Sequence, residues 1–213
     1  MLIYQAVQEY KKQIIIIGYS GHAYVILETI NSLNHQVIGY IEPTIKKKNP
    51  YDIPYLGNDN TLSEIKDNYF FVAIGDNYKR IALSKKCIDK NLRTLNLIHP
   101  SASLSKKIQL GKGNFIARNV AVNDLCVFND NIIINTGAII DHEVMISSGV
   151  HIAPGCVLCG GVYVGKNSFI GANTVIKPGV KIGDNVTVGA GSAVIKDIPN
   201  NSMAYGNPAK ILE

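Results

Sequence analysis

A large apolar residue recurs at every sixth place from Ile98 to Val194 without a miss. The residues are Ile98, Leu104, Leu110, Ile116, Val122, Phe128, Ile134, Ile140, Ile146, Ile152, Leu158, Val164, Ile170, Ile176, Ile182, Val188 and Val194. At this chain's apolar fraction of 46%, chance would fill such a frame on the order of once in a million times. The fourth residue after each is mostly small or β-branched (Ala102, Val120, Cys126, Ala138, Val144, Val150), with Asn114 as the exception. Between the two inward positions stand turn formers, as in Leu110-Gly111-Lys112-Gly113 and Ile176-Lys177-Pro178-Gly179. A six-residue unit is too short for a helix pair or a propeller blade; it predicts a parallel β-helix of short strands and tight turns. Each aliphatic is buried only when coils stack, about 4.8 Å apart.

The run Ile170-Gly-Ala-Asn-Thr-Val175, Ile182-Gly-Asp-Asn-Val-Thr187, Val188-Gly-Ala-Gly-Ser-Ala193 resembles the hexapeptide-repeat acyltransferases. That resemblance implies a left-handed, three-sided prism in which residues 18 apart stack, although crossover connections in general favour the opposite hand. The closing Tyr205-Gly206-Asn207-Pro208-Ala209-Lys210 is similar to the segment that ends these helices near acyl-CoA.

Ahead of the repeats, Ile14–Ile17 reads as a buried parallel strand entering Gly18-Tyr19-Ser20-Gly21-His22, with a helical pattern through Leu33. Strands are expected over Gln36–Ile41, Phe70–Ile74 and Arg93–Leu97, and a helix from Asn77 to about Asn91. This alternation predicts a short parallel α/β sheet, Rossmann-like, with its ligand beyond the carboxyl ends of the strands. Gly18, Ser20, Gly21 and His22 place backbone N–H groups at a helix N-terminus, which suits a diphosphate. The third glycine of a dinucleotide fingerprint is missing. Glu42, after the second strand, stands where an acidic residue takes a ribose hydroxyl in dinucleotide folds.

A Gly-x-Ser-Gly-His loop, a short α/β domain, Ala73-Ile74-Gly75-Asp76-Asn77 and hexapeptide repeats in that order resemble two related groups. These are the sialic-acid-type sugar O-acyltransferases and the N-acetyltransferases of nucleotide-linked 4-amino sugars, as in bacillosamine and perosamine synthesis. The expected organisation is an N-terminal extension (1–12), a nucleotide-sugar-binding domain (13–97), the left-handed β-helix (98–198) and a C-terminal tail near CoA (199–213). Relatives often carry two consecutive Asp residues where this chain has Glu42-Pro43, so the base is left open.

Composition narrows the function further. No stretch of about 18 uncharged apolar residues occurs, so no membrane span is expected. The first twelve residues lack the apolar region of a signal peptide, so a cytoplasmic location is expected. Cys87, Cys126, Cys156 and Cys159 read as reduced core residues. Cys156-x-x-Cys159 has no second pair to complete a zinc site, so no metal is expected. The net charge of +5 comes mostly from scattered lysine groups without interleaved aromatics, which argues against nucleic acid.

Acetyl transfer needs a base for the acceptor's proton and donors for the thioester oxygen. His142, two residues past the inward Ile140, should face outward with Asp124 and Gly160 as its coil-stacked neighbours. Glu143 or Asp141 stands ready to fix its tautomer, and Gly160 above it leaves room for a thioester. The resemblance implies His142 and Glu143 as the catalytic pair, Asn135 and Gly75 beside the acceptor sugar with the Gly18–His22 loop, and His151 near the acetyl carbonyl. It further implies that Gly160 and Gly161 present N–H groups to acetyl-CoA, that Lys177, Lys196 and Lys210 meet the CoA phosphates, and that a homotrimer forms the CoA tunnel. His35 and His99 are read as structural. The expected reaction is direct attack of a sugar amine on acetyl-CoA with His142 as base. A hydroxyl acceptor on sialic acid, or a non-catalytic scaffold, are the other readings.

Overall fold

The computed structural model describes residues 11–65 and 68–212; of the expected N-terminal extension, residues 1–10 lie outside them. The first part of the chain runs β1 (Gln13–Ile17), α1 (Gly21–Ser32), β2 (Gln36–Ile41), β3 (Tyr55–Gly57), β4 (Tyr69–Val72), α2 (Asn77–Asp89) and β5 (Arg93–Thr94). The strands form one parallel sheet in the order β3-β2-β1-β4-β5. The four isoleucines of β1 are each within 2% of full burial. Ile14 and Ile16 pack toward α1 and the repeats, while Ile15 and Ile17 join Phe70, Val72, Cys87 and Leu92 on the other side. Both faces of the strand are covered, which is why it reads as an unbroken aliphatic run.

Two details differ from the sequence reading. The strand expected over Phe70–Ile74 is Tyr69–Val72. The one expected over Arg93–Leu97 divides: Arg93–Thr94 closes the sheet, whereas Leu97–Ile98 pairs with Phe115–Ile116 as the first strand of the repeats. The stacking coil above captures Leu97, whose N–H donates to the Asn114 carbonyl at 2.9 Å.

From Leu97–Ile98 to Ala193–Val194 the chain makes seventeen two-residue strands, the first fourteen each parallel to the strand 18 residues on. They lie in three sheets, which makes the left-handed, three-sided parallel β-helix. We call the face of Ile139–Ile140 the first, that of Met145–Ile146 the second and that of His151–Ile152 the third. The strands Met203–Gly206 and Ala209–Ile211 close the third face as an antiparallel hairpin. Ile140, Ile152, Leu158, Val164, Ile170, Ile176 and Ile182 are all wholly buried. Asn114 is 1% exposed and hydrogen-bonded, its amide donating to the Asn129 carbonyl and accepting from Ile132 N–H.

A second register runs beside the aliphatic one. Every sixth residue from 113 to 191 has a positive φ, between 56° and 74°. Twelve of these fourteen are Gly or Asn, the residues that tolerate this conformation best. The exceptions are Leu125 and Glu143, stacked on the same edge of the prism. A non-glycine residue held there stores on the order of 1 kcal/mol or more of strain.

The α/β part docks on the third face and on the two edges that flank it. Phe115, 0% exposed, meets His22 and Phe71 edge-on. Asn77 donates to the carbonyls of Asn167 and Ser168, and Arg118 pairs with Glu28. One apolar core therefore runs from α1 through the sheet into the prism.

Candidate active site

The edge between the first and second faces carries His142. Asp124, His142, Gly160, Pro178 and Lys196 are 18 residues apart and stack along it, with Lys177 beside Pro178. His142 is exposed; its Nδ1 lies 3.0 Å from Glu143 Oε2, and its backbone N–H donates to Asp141 Oδ1 at 2.8 Å. A carboxylate at Nδ1 holds the proton there and leaves the lone pair on Nε2, as a general base requires; Asp141 Oδ2 lies 3.9 Å from Nε2. Asn123 and the His142 N–H hold the Asp141 carboxyl below its usual range, so that group stays ionised. The glutamate reaches the ring because its backbone adopts φ +59°, one of the two strained corners noted above. An open depression on the first face, lined by Ser105, Val122, Asn123 and Asp124, ends at His142.

Two expectations about this edge need correcting. Gly160 makes room for the imidazole itself: a Cβ there would overlap ring atoms of His142. The glycine N–H groups are also engaged. Gly161 N–H donates to the His142 carbonyl at 2.9 Å and Gly160 N–H is directed to the Asp141 carboxylate, because coil stacking and the acidic corner use them. Lys177 and Lys196 are exposed on the edge, while Lys210 lies on the closing hairpin opposite Tyr205.

The second group of residues gathers where β1 and β4 end. β2 lies on one side of β1 and β4 on the other, so a crevice opens at this switch point. Gly18, at φ +93°, turns the chain out of β1, and Ile74 fills the space where a Cβ would stand. Ser20 stands at the N-cap of α1 without a side-chain cap hydrogen bond, and it and Gly21 are exposed, at a helix end whose first N–H groups have no partner within the helix. One oxygen of Glu42 is engaged within the protein, accepting from Tyr19 N–H at 2.7 Å and pairing with Lys46.

His151 belongs to this crevice, 8% exposed, rather than to the His142 edge. Its Nδ1 faces the Gly75 carbonyl at 3.3 Å and its Nε2 faces Asn135 Nδ2 at 3.3 Å. Phe169 and His22 stand against its ring. Burial, then the Arg80 charge, hold His151 down to about 3 and His22 to about 4, so both rings are neutral at ordinary pH. His22 Nε2 is buried without a hydrogen-bond partner among the described residues.

Sequence reasoning missed Arg80, which reads as one more base in Lys79-Arg80-Ile81-Ala82-Leu83-Ser84-Lys85-Lys86. It is 1% exposed and donates to the carbonyls of Ile74, Gly75, Asn131 and Gly149 and to Asn77 Oδ1. Burial lowers it only to about 10, so it keeps its charge. Only the burial of its neighbours, not its own residue type, would have marked it.

Apart from Lys210, the sequence-predicted residues fall into two sets, one on the His142 edge of the prism and one where the α/β part meets the third face. Residues 13–87 match the PglD N-terminal domain family, and residues 143–177 and 161–196 match the bacterial transferase hexapeptide (six repeats) family. Perosamine N-acetyltransferase from Caulobacter crescentus, solved with CoA and GDP-perosamine, is 36% identical, with a TM-score of 0.91 over 94% of this chain and 97% of that one. The acetyltransferase domain of PglB from Neisseria gonorrhoeae FA1090, solved with acetyl coenzyme A, is 29% identical, with a TM-score of 0.90 over 95% and 100%. UDP-N-acetylbacillosamine N-acetyltransferase from Bacillus subtilis (strain 168) is 32% identical over 110 residues, or 49% of this chain; the match spans 51% of that protein.

Proposed function

The chain belongs to the left-handed β-helix, hexapeptide-repeat sugar acetyltransferases with a PglD-type N-terminal domain, and from that premise we propose that it transfers the acetyl group of acetyl-CoA to the amine of a nucleotide-linked 4-amino sugar in bacterial surface-glycan synthesis. The observation that carries this reading is the exposed His142 imidazole, held through Nδ1 by Glu143, with Nε2 3.9 Å from Asp141 Oδ2 at the edge of the prism. The nucleotide sugar is held by the switch-point crevice, its diphosphate on the N–H groups of the Gly18–His22 loop. Acetyl-CoA lies along the first edge, its phosphates toward Lys177 and Lys196. The amine attacks the thioester carbon, His142 Nε2 takes the amine proton, and CoA leaves as the thiolate or thiol. No acyl-enzyme intermediate is required.

Crevice and base lie on different edges of one chain, so a second copy supplies the other half of each site. We read the assembly as a homotrimer with CoA between neighbouring prisms. Ile139, Met145 and Val175, apolar and 46%, 50% and 45% exposed, are the surfaces offered for it. No helix among the described residues is long and apolar enough to cross a membrane; we place the enzyme in the cytoplasm, where acetyl-CoA and nucleotide sugars are made.

The test is to incubate the protein with acetyl-CoA and, separately, UDP- and GDP-linked 4-amino sugars and free sialic acid, following CoA release and product mass. A base-stable acetyl product from an amino sugar is expected. Turnover of sialic acid alone, giving a base-labile ester, would replace this reading with O-acetylation. CoA release with none of the acceptors would overturn it.

A further inference from the structure

The Asp141 carboxylate is only partly engaged by the protein. Its Oδ1 accepts from Asn123 Nδ2 and from the His142 backbone N–H, both at 2.8 Å, and the Gly160 N–H is directed to the same carboxylate. An ionised carboxylate offers about four lone-pair sites, two on each oxygen. Two donors occupy Oδ1, and the third takes at most one site on the other oxygen, so Oδ2 keeps a lone pair. That oxygen lies 3.9 Å from His142 Nε2, on side chains that are 38% and 57% exposed.

Nε2 is the unprotonated nitrogen of the ring, because Glu143 Oε2 accepts from Nδ1–H at 3.0 Å. Oδ2 and Nε2 are therefore two acceptors side by side in reach of solvent, and neither can satisfy the other. Their separation is less than twice a hydrogen-bond length of about 2.9 Å. One atom can reach both, provided that it carries two hydrogens. A primary amine does so and keeps its lone pair for the thioester. A hydroxyl has one hydrogen and would turn an oxygen lone pair toward the carboxylate.

We propose that Asp141 is a specificity-determining residue that makes this a site for amines: its Oδ2 and His142 Nε2 together take two hydrogens of one nitrogen and disfavour a hydroxyl in the same place. The inference rests on the acetyl-transfer reading above and adds to it the kind of nucleophile that the edge selects. The amine lone pair forms the C–N bond to the thioester carbon while the carbonyl π pair moves to oxygen, which leaves the nitrogen positive. The Asp141 carboxylate stabilises that charge where it develops. His142 Nε2 removes one proton, the carbonyl re-forms, and the C–S bond breaks to release CoA thiolate; the second hydrogen stays on the amide. A hydroxyl that gives its single proton to Nε2 carries no positive charge for the carboxylate to stabilise, and its oxygen then meets a neighbour of like sign.

The experiment uses the whole chain and acceptors in matched pairs: a UDP- or GDP-linked 4-amino sugar and the same sugar with a 4-hydroxyl. Glucosamine and glucose form a further pair outside the nucleotide sugars. Binding is read by calorimetry with CoA present, and turnover with acetyl-CoA. The wild-type protein should bind the amine about tenfold or more tighter than the hydroxyl. In Asp141→Ala the preference should shrink to within about twofold, with the hydroxyl partner bound as before. There kcat for the amine should fall about 10²-fold, while KM for acetyl-CoA stays within about twofold. If Asp141→Ala weakens both acceptors alike, the corner has moved and Asp141→Asn decides, since it keeps Oδ1 for its two donors and sets an amide N–H toward Nε2. Loss of the amine preference in that variant supports the proposal. An amine preference kept in Asp141→Asn, or kept in Asp141→Ala with both affinities unchanged, overturns it. So does a wild-type protein that binds and acetylates the hydroxyl as well as the amine. Glucosamine acetylated in place of every nucleotide sugar, with the preference still set by Asp141, would sink the nucleotide-sugar reading and leave this one standing. Acetylation of no amine would end both.

Discussion

The residue just before each inward aliphatic meets opposite fates on different faces of the same prism. On the third face Phe115, Ile133 and His151 are 0%, 1% and 8% exposed, whereas on the first and second faces Ile139, Met145 and Val175 are 46%, 50% and 45% exposed. The local backbone is the same in all six: a two-residue strand, a turn, a corner with positive φ. What differs is what lies outside. The repeat dictates what points in, and the outward positions are free to be written for a partner: the α/β sheet on one side, and on the others, in our reading, further copies of the chain.

That contrast is open to direct attack. Phe115→Ala, which empties a site between the two parts of the chain, should cost about 3–5 kcal/mol in urea denaturation. Ile139→Ala should change the stability of an isolated chain by no more than about 0.5 kcal/mol. A larger loss that depends on protein concentration would mark the first face as covered by a second copy, and light scattering would report the dissociation.

Acid tests the same interface through its imidazoles. His22 and His151 are kept neutral, near 4 and 3 against an ordinary 6.5, so the unfolded chain binds protons the folded chain refuses. The stability these groups contribute is whole above pH 6.5 and is lost as pH falls toward 4 and then 3, on the order of a few kcal/mol. Denaturation midpoints across that range should drop, and His151→Gln should flatten the slope; an unchanged slope would place the ring in water.

On the exposed edge the effects are kinetic rather than structural. His142→Ala should lower kcat/KM by about 10²-fold or more with circular dichroism unchanged; full activity in that variant would remove the base. Gly160→Ala, whose methyl group meets the imidazole, should cost about tenfold in kcat. Lys196→Ala, at a solvated lysine, should raise KM for acetyl-CoA by only a few-fold.

Legibility followed the same division. The prism could be read from Ile98 to Val194 because one rule, repeated, needs no knowledge of distant neighbours. The second register, Gly or Asn at every sixth place from 113 save Leu125 and Glu143, is written in the sequence as well but went unread there, because turn formers crowd every coil. In the α/β part, β1, β2 and α1 were read within a residue or so, since each carries its own apolar pattern. Tyr55–Gly57 escaped notice because three residues after a proline give no periodicity, and its place is set by pairing with β2. The histidine–glutamate pair was legible because the two are adjacent in sequence. Arg80 was not, because its role is set by carbonyls from residues 131 and 149, which no local pattern brings near it.

The stacked edge that holds Asp124, His142, Gly160, Pro178 and Lys196 is also a graduated scale. Each coil advances the axis by one fixed step, about 4.8 Å, so the span from imidazole to lysine is a whole number of steps set by the count of residues between them. Inserting one 18-residue coil above Gly160 would lengthen that span by a single graduation and leave every buried contact of its type intact. The fold can therefore be re-gauged for a longer or shorter acyl carrier by arithmetic alone.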